Sequence, residues 1–174
     1  KGGTPMTATM SELSPDSRSR SDRERFVNIL AVQRAAYLRE GAPSLTKRRR
    51  DLKKFKAAML ARRSAIEDAI NTDFGHRSRH ETALMEIVGV VQGIDYLERN
   101  LRRFMRPPRR RIALDMRFGS NRIEYQPLGV VGVISPWNYP LFLTISPLTS
   151  VLAAGNRAMV KMASNSQHLC RLLG

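Results

Sequence analysis

Two side chains are placed where they could do chemistry. Asn138 sits in the turn Pro136-Trp137-Asn138-Tyr139-Pro140, directly after the apolar run Val130–Ile134, which only Gly132 interrupts. Lys161 lies at the end of a second apolar run that follows Gly155-Asn156. Short apolar runs bounded by turn residues read as buried parallel strands, and the stretch between them is long enough for a crossover helix. Gly129–Lys161 is therefore a β-α-β unit. Open α/β sheets hold ligands outside the carboxyl ends of their strands, and the loop after the first strand carries Asn138 there. The plainer reading of Asn138 is a turn residue or a cap for the next helix. Lys161 is harder to explain by packing, because lysine is rarely buried without a partner.

Other reactive residue types are sparse. Cys170 is the single cysteine, so no internal disulfide forms, and the usage fits a reducing, cytoplasmic setting. With no histidine partner and no helix-start context it reads as an ordinary thiol. His76 and His80 are four apart, a metal-ligand spacing if both lie on one helix. His76 directly follows Gly75, however, and no third ligand stands out, so no metal site is assigned.

The elements that must position these residues follow from patterning. Residues 1–20, rich in Ser, Thr, Gly and Pro and not beginning with Met, read as a disordered leader with no signal-peptide core. Residues 21–111 read as a helical region. Ser21, with Glu24 three residues on, is expected to cap a helix to Glu40, with Phe26, Leu30, Gln33 and Tyr37 on one side. Helices are expected over Thr46–Ala61, Ser64–Thr72 and Glu81–Leu101. The last has the stripe Leu84, Ile87/Val88, Val91 and Ile94, and Gly89 and Gly93 point to close packing against another helix. Ile112–Pro127 alternates around Gly119-Ser120-Asn121 and reads as a β-hairpin that bridges subunits. Residues 128–164 hold the β-α-β unit. Within it Pro147 is expected to break the helix, leaving a short first turn and a helix from about Ser146 to Ala154. Residues 165–174 show no clear pattern.

The net charge of +15, from 30 Lys+Arg against 15 Asp+Glu, invites a nucleic-acid or membrane reading. Arginines crowd 99–111, and lysines and arginines fill one side of 47–56. No aromatics interleave with the basic runs, no nucleic-acid-binding motif surrounds them, and no apolar run reaches the roughly 20 residues of a bilayer span. The runs read as solvated faces, with no specific nucleic-acid partner and no membrane. A basic nucleic-acid-binding or scaffold fragment is the rival class, separable by salt-dependent binding to duplex DNA.

The P-W-N-Y-P loop, with Leu152-Ala153-Ala154-Gly155-Asn156 and Lys161, resembles the aldehyde dehydrogenase superfamily. Asn71–Ser78 and the arginine run before the hairpin resemble its coniferyl aldehyde dehydrogenase branch. The resemblance implies an α/β fold, with N-terminal helices and a β-hairpin leading into the first β-α-β unit of an incomplete Rossmann-like NAD(P)-binding domain. It implies NAD or NADP as cofactor, an aldehyde substrate, and a homo-oligomer for the full-length form. It casts Asn138 as an oxyanion-hole amide, Ser135, Pro136 and Trp137 as the cofactor-side loop, and Lys161 as the cation for the adenosine ribose or a 2′-phosphate. The catalytic cysteine and general-base glutamate of the family have no counterpart in the 174 residues, so the chain alone is expected to be inactive. Asn165 stands where a glutamate is expected and 166–170 match nothing in the pattern, which leads to the expectation of a reading-frame shift after Ser164.

Overall fold

The computed structural model describes residues 15–111 and 119–174. In chain order the elements are α1 (Pro15–Glu40), α2 (Leu45–Ala61), α3 (Arg63–Phe74), the single turn α4 (Arg79–Glu81), a π-helix (Thr82–Val88), α5 (Gly89–Phe104), β1 (Arg109–Arg110), β2 (Asn121–Arg122), β3 (Val130–Ile134), α6 (Pro140–Ala153), β4 (Arg157–Lys161) and α7 (Gln167–Leu173). One apolar core joins α2, α3, the π-helix, α5, α6 and α7. Leu52 and Met59 of α2, Ile66 and Ile70 of α3, Val90, Ile94 and Leu101 of α5, Leu141 and Ile145 of α6 and Leu169 of α7 are all buried in it. Each such side chain contributes about 1.5–3 kcal/mol by leaving water.

Several local expectations change. α1 begins at Pro15 rather than Ser21, because a proline is tolerated in a first helical turn and polar residues 16–20 give periodicity nothing to detect. The remainder of the expected leader lies outside the described residues. α2 starts at Leu45, capped by Ser44, whose Oγ accepts the Lys47 N–H at 3.3 Å. The hairpin residues Ile112–Phe118 lie outside the described residues. Among the rest, the antiparallel pair joins Arg109–Arg110 to Asn121–Arg122, so the arginine run itself supplies a strand, while Ile123 and Tyr125 belong to none.

β3 and β4 pair in parallel from Val130↔Arg157 to Ile134↔Lys161, with α6 as the crossover. α6 runs unbroken through Pro147, which corrects the expected break. Pro147 is on the exposed face, while Thr144, Ile145 and Thr149 are buried. Packing of the inner face outweighs the one missing N–H, as most helical stability in a folded chain comes from tertiary burial.

The helix ends at Gly155, whose φ is 86°. Its N–H donates to Leu152 O at 2.9 Å and the Asn156 N–H to Val151 O at 3.0 Å, a Schellman close. Arg48, only 8% exposed, lies flat against this glycine and donates to Pro43 O and Ala153 O. A Cβ at 155 would stand 2.5 Å from Arg48 Cζ. Gly155→Ala is therefore expected to cost roughly 2–4 kcal/mol, from left-handed strain plus displacement of the guanidinium, read as a lowered urea midpoint.

Residues 165–174 are not patternless. α7 packs on α3, and the Asp73 carboxylate accepts the N–H groups of His168 at 2.9 Å and Leu169 at 3.0 Å. The cap comes from 95 residues away, so no local sequence signal announces it.

Candidate functional site

β3 and β4 end side by side, and their carboxyl edge carries the loop. The Ser135 N–H donates to Lys161 O at 3.1 Å, extending the parallel ladder by one bond. Ser135 is buried and its Oγ has no hydrogen-bond partner among the described residues. Pro136 and Trp137 are exposed, Asn138 is half-buried, and Lys161 is exposed. The structure thus brings Ser135, Pro136, Trp137, Asn138 and Lys161 to one edge. Asn138 does not cap α6: the cap position is Tyr139, and no side chain there makes a capping bond. Asn165 donates its Nδ2 to Trp137 O at 3.2 Å, so the residue found where a glutamate was expected ties the tail to the loop.

Beneath the loop lies a cluster that periodicity missed. The buried side of the π-helix and the start of α5 carries Thr82, Glu86, Ile87 and Val90, while Leu84 is 68% and Val88 40% exposed. The expected stripe holds at Ile87, Val91 and Ile94, which lie in or against the core, and is corrected at Leu84 and Val88, which face solvent. Glu86 is 0% exposed. Its Oε2 accepts the N–H groups of Leu141 at 2.7 Å and Phe142 at 3.1 Å, two donors of the first turn of α6 that have no partner within the helix. Its Oε1 accepts from Arg77 Nη1 at 3.2 Å. The Arg77 guanidinium lies 3.8 Å from the Phe74 ring centroid and 5.2 Å from that of Tyr139. A Cβ on Gly89 would stand 2.8 Å from the Phe142 ring, which is the packing reason for that glycine. Gly93 has open space instead. A glutamate facing inward on an apolar helix is the one sequence signal that could have found this cluster.

Burial raises the Glu86 carboxyl above its ordinary 4.5, against the lowering by the two backbone N–H groups and Arg77. A carboxyl with a raised folded pKa binds its proton more tightly in the fold. Its contribution to stability is greatest below 4.5 and is lost as pH rises through the folded value. Urea unfolding at stepped pH is expected to show this falling component, and Glu86→Gln to remove it.

The remaining candidates stay apart from the edge. Cys170 is exposed on α7. His76 has φ 88° outside any helix and His80 lies in α4, so the two do not share one helix face. Among the described residues no three His, Cys, Asp or Glu gather as a metal site, and no helix is long and apolar enough to cross a membrane.

Comparison with known proteins fits this geometry. The aldehyde dehydrogenase family pattern matches residues 16–174, and the chain belongs to that family. It is 44% identical over 156 residues to a Pseudomonas aeruginosa protein named "Probable coniferyl aldehyde dehydrogenase", covering 90% of this chain and 33% of the relative. It is 38% identical over 150 residues to the coniferyl aldehyde dehydrogenase of a Pseudomonas species, covering 86% of this chain and 31% of the relative. The fold matches the substrate-bound Staphylococcus aureus AldH with a TM-score of 0.81 at 25% identity, over 85% of this chain and 32% of that one. The chain spans about a third of the length of these relatives. The matched span reaches Gly174, so resemblance does not stop at Ser164 and the frame-shift expectation loses the observation that motivated it.

Proposed function

We propose that this chain forms the oxyanion-side and cofactor-side part of an NAD(P)-dependent aldehyde dehydrogenase acting on coniferyl-type aromatic aldehydes. The observation that carries the reading is the half-buried Asn138, with no capping bond among the described residues, in the loop after β3 at the carboxyl edge of a parallel strand pair whose other strand ends in Lys161. Attack on an aldehyde by a thiolate places negative charge on the carbonyl oxygen. The Asn138 Nδ2–H donates to that oxygen as the charge develops, which favours the transition state over the ground state.

The edge fits a dinucleotide. Ser135 Oγ is a buried hydroxyl without a partner among the described residues, and Lys161 presents a cation at the end of β4. Lys161 would hold the ribose hydroxyls or a 2′-phosphate, and Ser135, Pro136 and Trp137 would line the same side. The dinucleotide, when bound, supplies the hydride acceptor.

This chain alone has no nucleophile at the edge, since its single cysteine is on α7. Purified chain with NAD or NADP and a cinnamyl-type aldehyde is expected to give no reduced nicotinamide by absorbance. Turnover that survives Cys170→Ser would overturn the reading.

A further inference from the structure

We propose that Glu86 is the positioning residue for the loop that carries Asn138. The proposal rests on the reading of Asn138 given above and deepens it. Glu86 faces the core one turn before the buried Val90, on the side it shares with Ile87 and Ile94, while Leu84 and Val88 face solvent. From there one carboxylate holds three points of the neighbouring chain. Oε2 takes the backbone N–H groups of Leu141 and Phe142 at 2.7 and 3.1 Å. Oε1 orients Arg77, whose guanidinium lies 5.2 Å from the Tyr139 ring. Tyr139 is the residue after Asn138, and Leu141 follows two further on across Pro140, whose φ is fixed by its ring. Little backbone freedom remains between the anchored points and the amide. Gly89, one turn after Glu86, leaves the space that lets Phe142 sit down on the same helix.

A carboxylate that only capped α6 would, when lost, free the Leu141 and Phe142 N–H groups and leave the loop before them unchanged. Control of the loop predicts a local effect, and the chain carries its own reporter: Trp137 is its single tryptophan, exposed and adjacent to Asn138. Glu86→Gln keeps one acceptor oxygen but turns an amide N–H₂ towards the Arg77 guanidinium, donor against donor. Amide exchange at Leu141 and Phe142 is expected to rise about tenfold, the loss of roughly one net hydrogen bond. Trp137 fluorescence anisotropy is expected to fall, while Val90 and Ile94 in α5 keep their protection. Glu86→Gln combined with Arg77→Met removes the donor conflict and is expected to restore both signals. The milder Arg77→Met alone leaves both backbone bonds in place and should leave Leu141 and Phe142 protected.

Equal loss of protection at Val90 and Ile94, unchanged Trp137 anisotropy when Leu141 and Phe142 loosen, absence of rescue, or deprotection by Arg77→Met alone would each overturn the proposal. None of these readouts depends on aldehyde oxidation. Failure of Asn138 as a donor would appear only in turnover, so the two readings fail separately.

Discussion

Glu86→Ala is expected to lower the stability of the chain by about 3–5 kcal/mol, the usual cost of removing one partner from a buried charge pair. The side chain is 0% exposed and accepts three hydrogen bonds, two from the start of α6 and one from Arg77. Truncation leaves the Leu141 N–H in a buried position without an acceptor, and leaves a guanidinium whose side chain is 13% exposed with only the more distant Glu81 carboxylate, at 3.8 Å, for an anion. It also opens a cavity next to Ile87 and Leu141. Domains of this size hold about 5–15 kcal/mol in all, so the variant should lose a substantial part of its margin. Urea unfolding followed by circular dichroism checks this. A shift below about 1 kcal/mol, within the range of an exposed ion pair, would show that the carboxylate carries no structural weight. Glu86→Gln should cost clearly less than Glu86→Ala, because it keeps an acceptor and most of the volume.

Asn138→Ala is expected to lower kcat by about 10²–10³ in an enzyme that contains this chain, the typical cost of losing one preorganised oxyanion donor. The assembly to use is a fusion of this chain to the remaining two-thirds of the 44% identical Pseudomonas aeruginosa relative. The loss should fall on kcat with little change in KM, since the donor meets a charge that exists only in the transition state. Asn138 makes no capping bond at α6, so removing its amide should leave the fold intact, and the urea midpoint of the variant should match the parent. Equal losses in kcat and stability would assign Asn138 to the structure rather than to the chemistry.

The β-α-β unit was legible because both strands are short apolar runs between turn residues, and because Gly155 and Asn156 mark the end of the crossover. Asn138 and Lys161 were legible for the same reason: each is a polar residue at the end of an apolar run. The unbroken α6 was not legible, since Pro147 is a local signal and the burial of Thr144 and Ile145 that overrides it is tertiary. Glu86 and Arg77 were missed for a different reason. Glu86 shares the buried side with Ile87, Val90 and Ile94, but an apolar count passes over a charged residue, and Arg77 sits in the connection before α4. α7 was missed because its cap, Asp73, lies far away in sequence. The family resemblance supplied the expected role of Asn138, and the structure supplied the carboxylate beneath it.

The most direct measurement of the central claim is turnover of coniferyl aldehyde by the same fusion with unmodified Asn138, with NAD or NADP present. Reduced nicotinamide should form at a kcat within roughly tenfold of the intact relative, about 1.4 kcal/mol in the barrier. A fusion that folds and yet shows no aldehyde-dependent reduction would contradict the account.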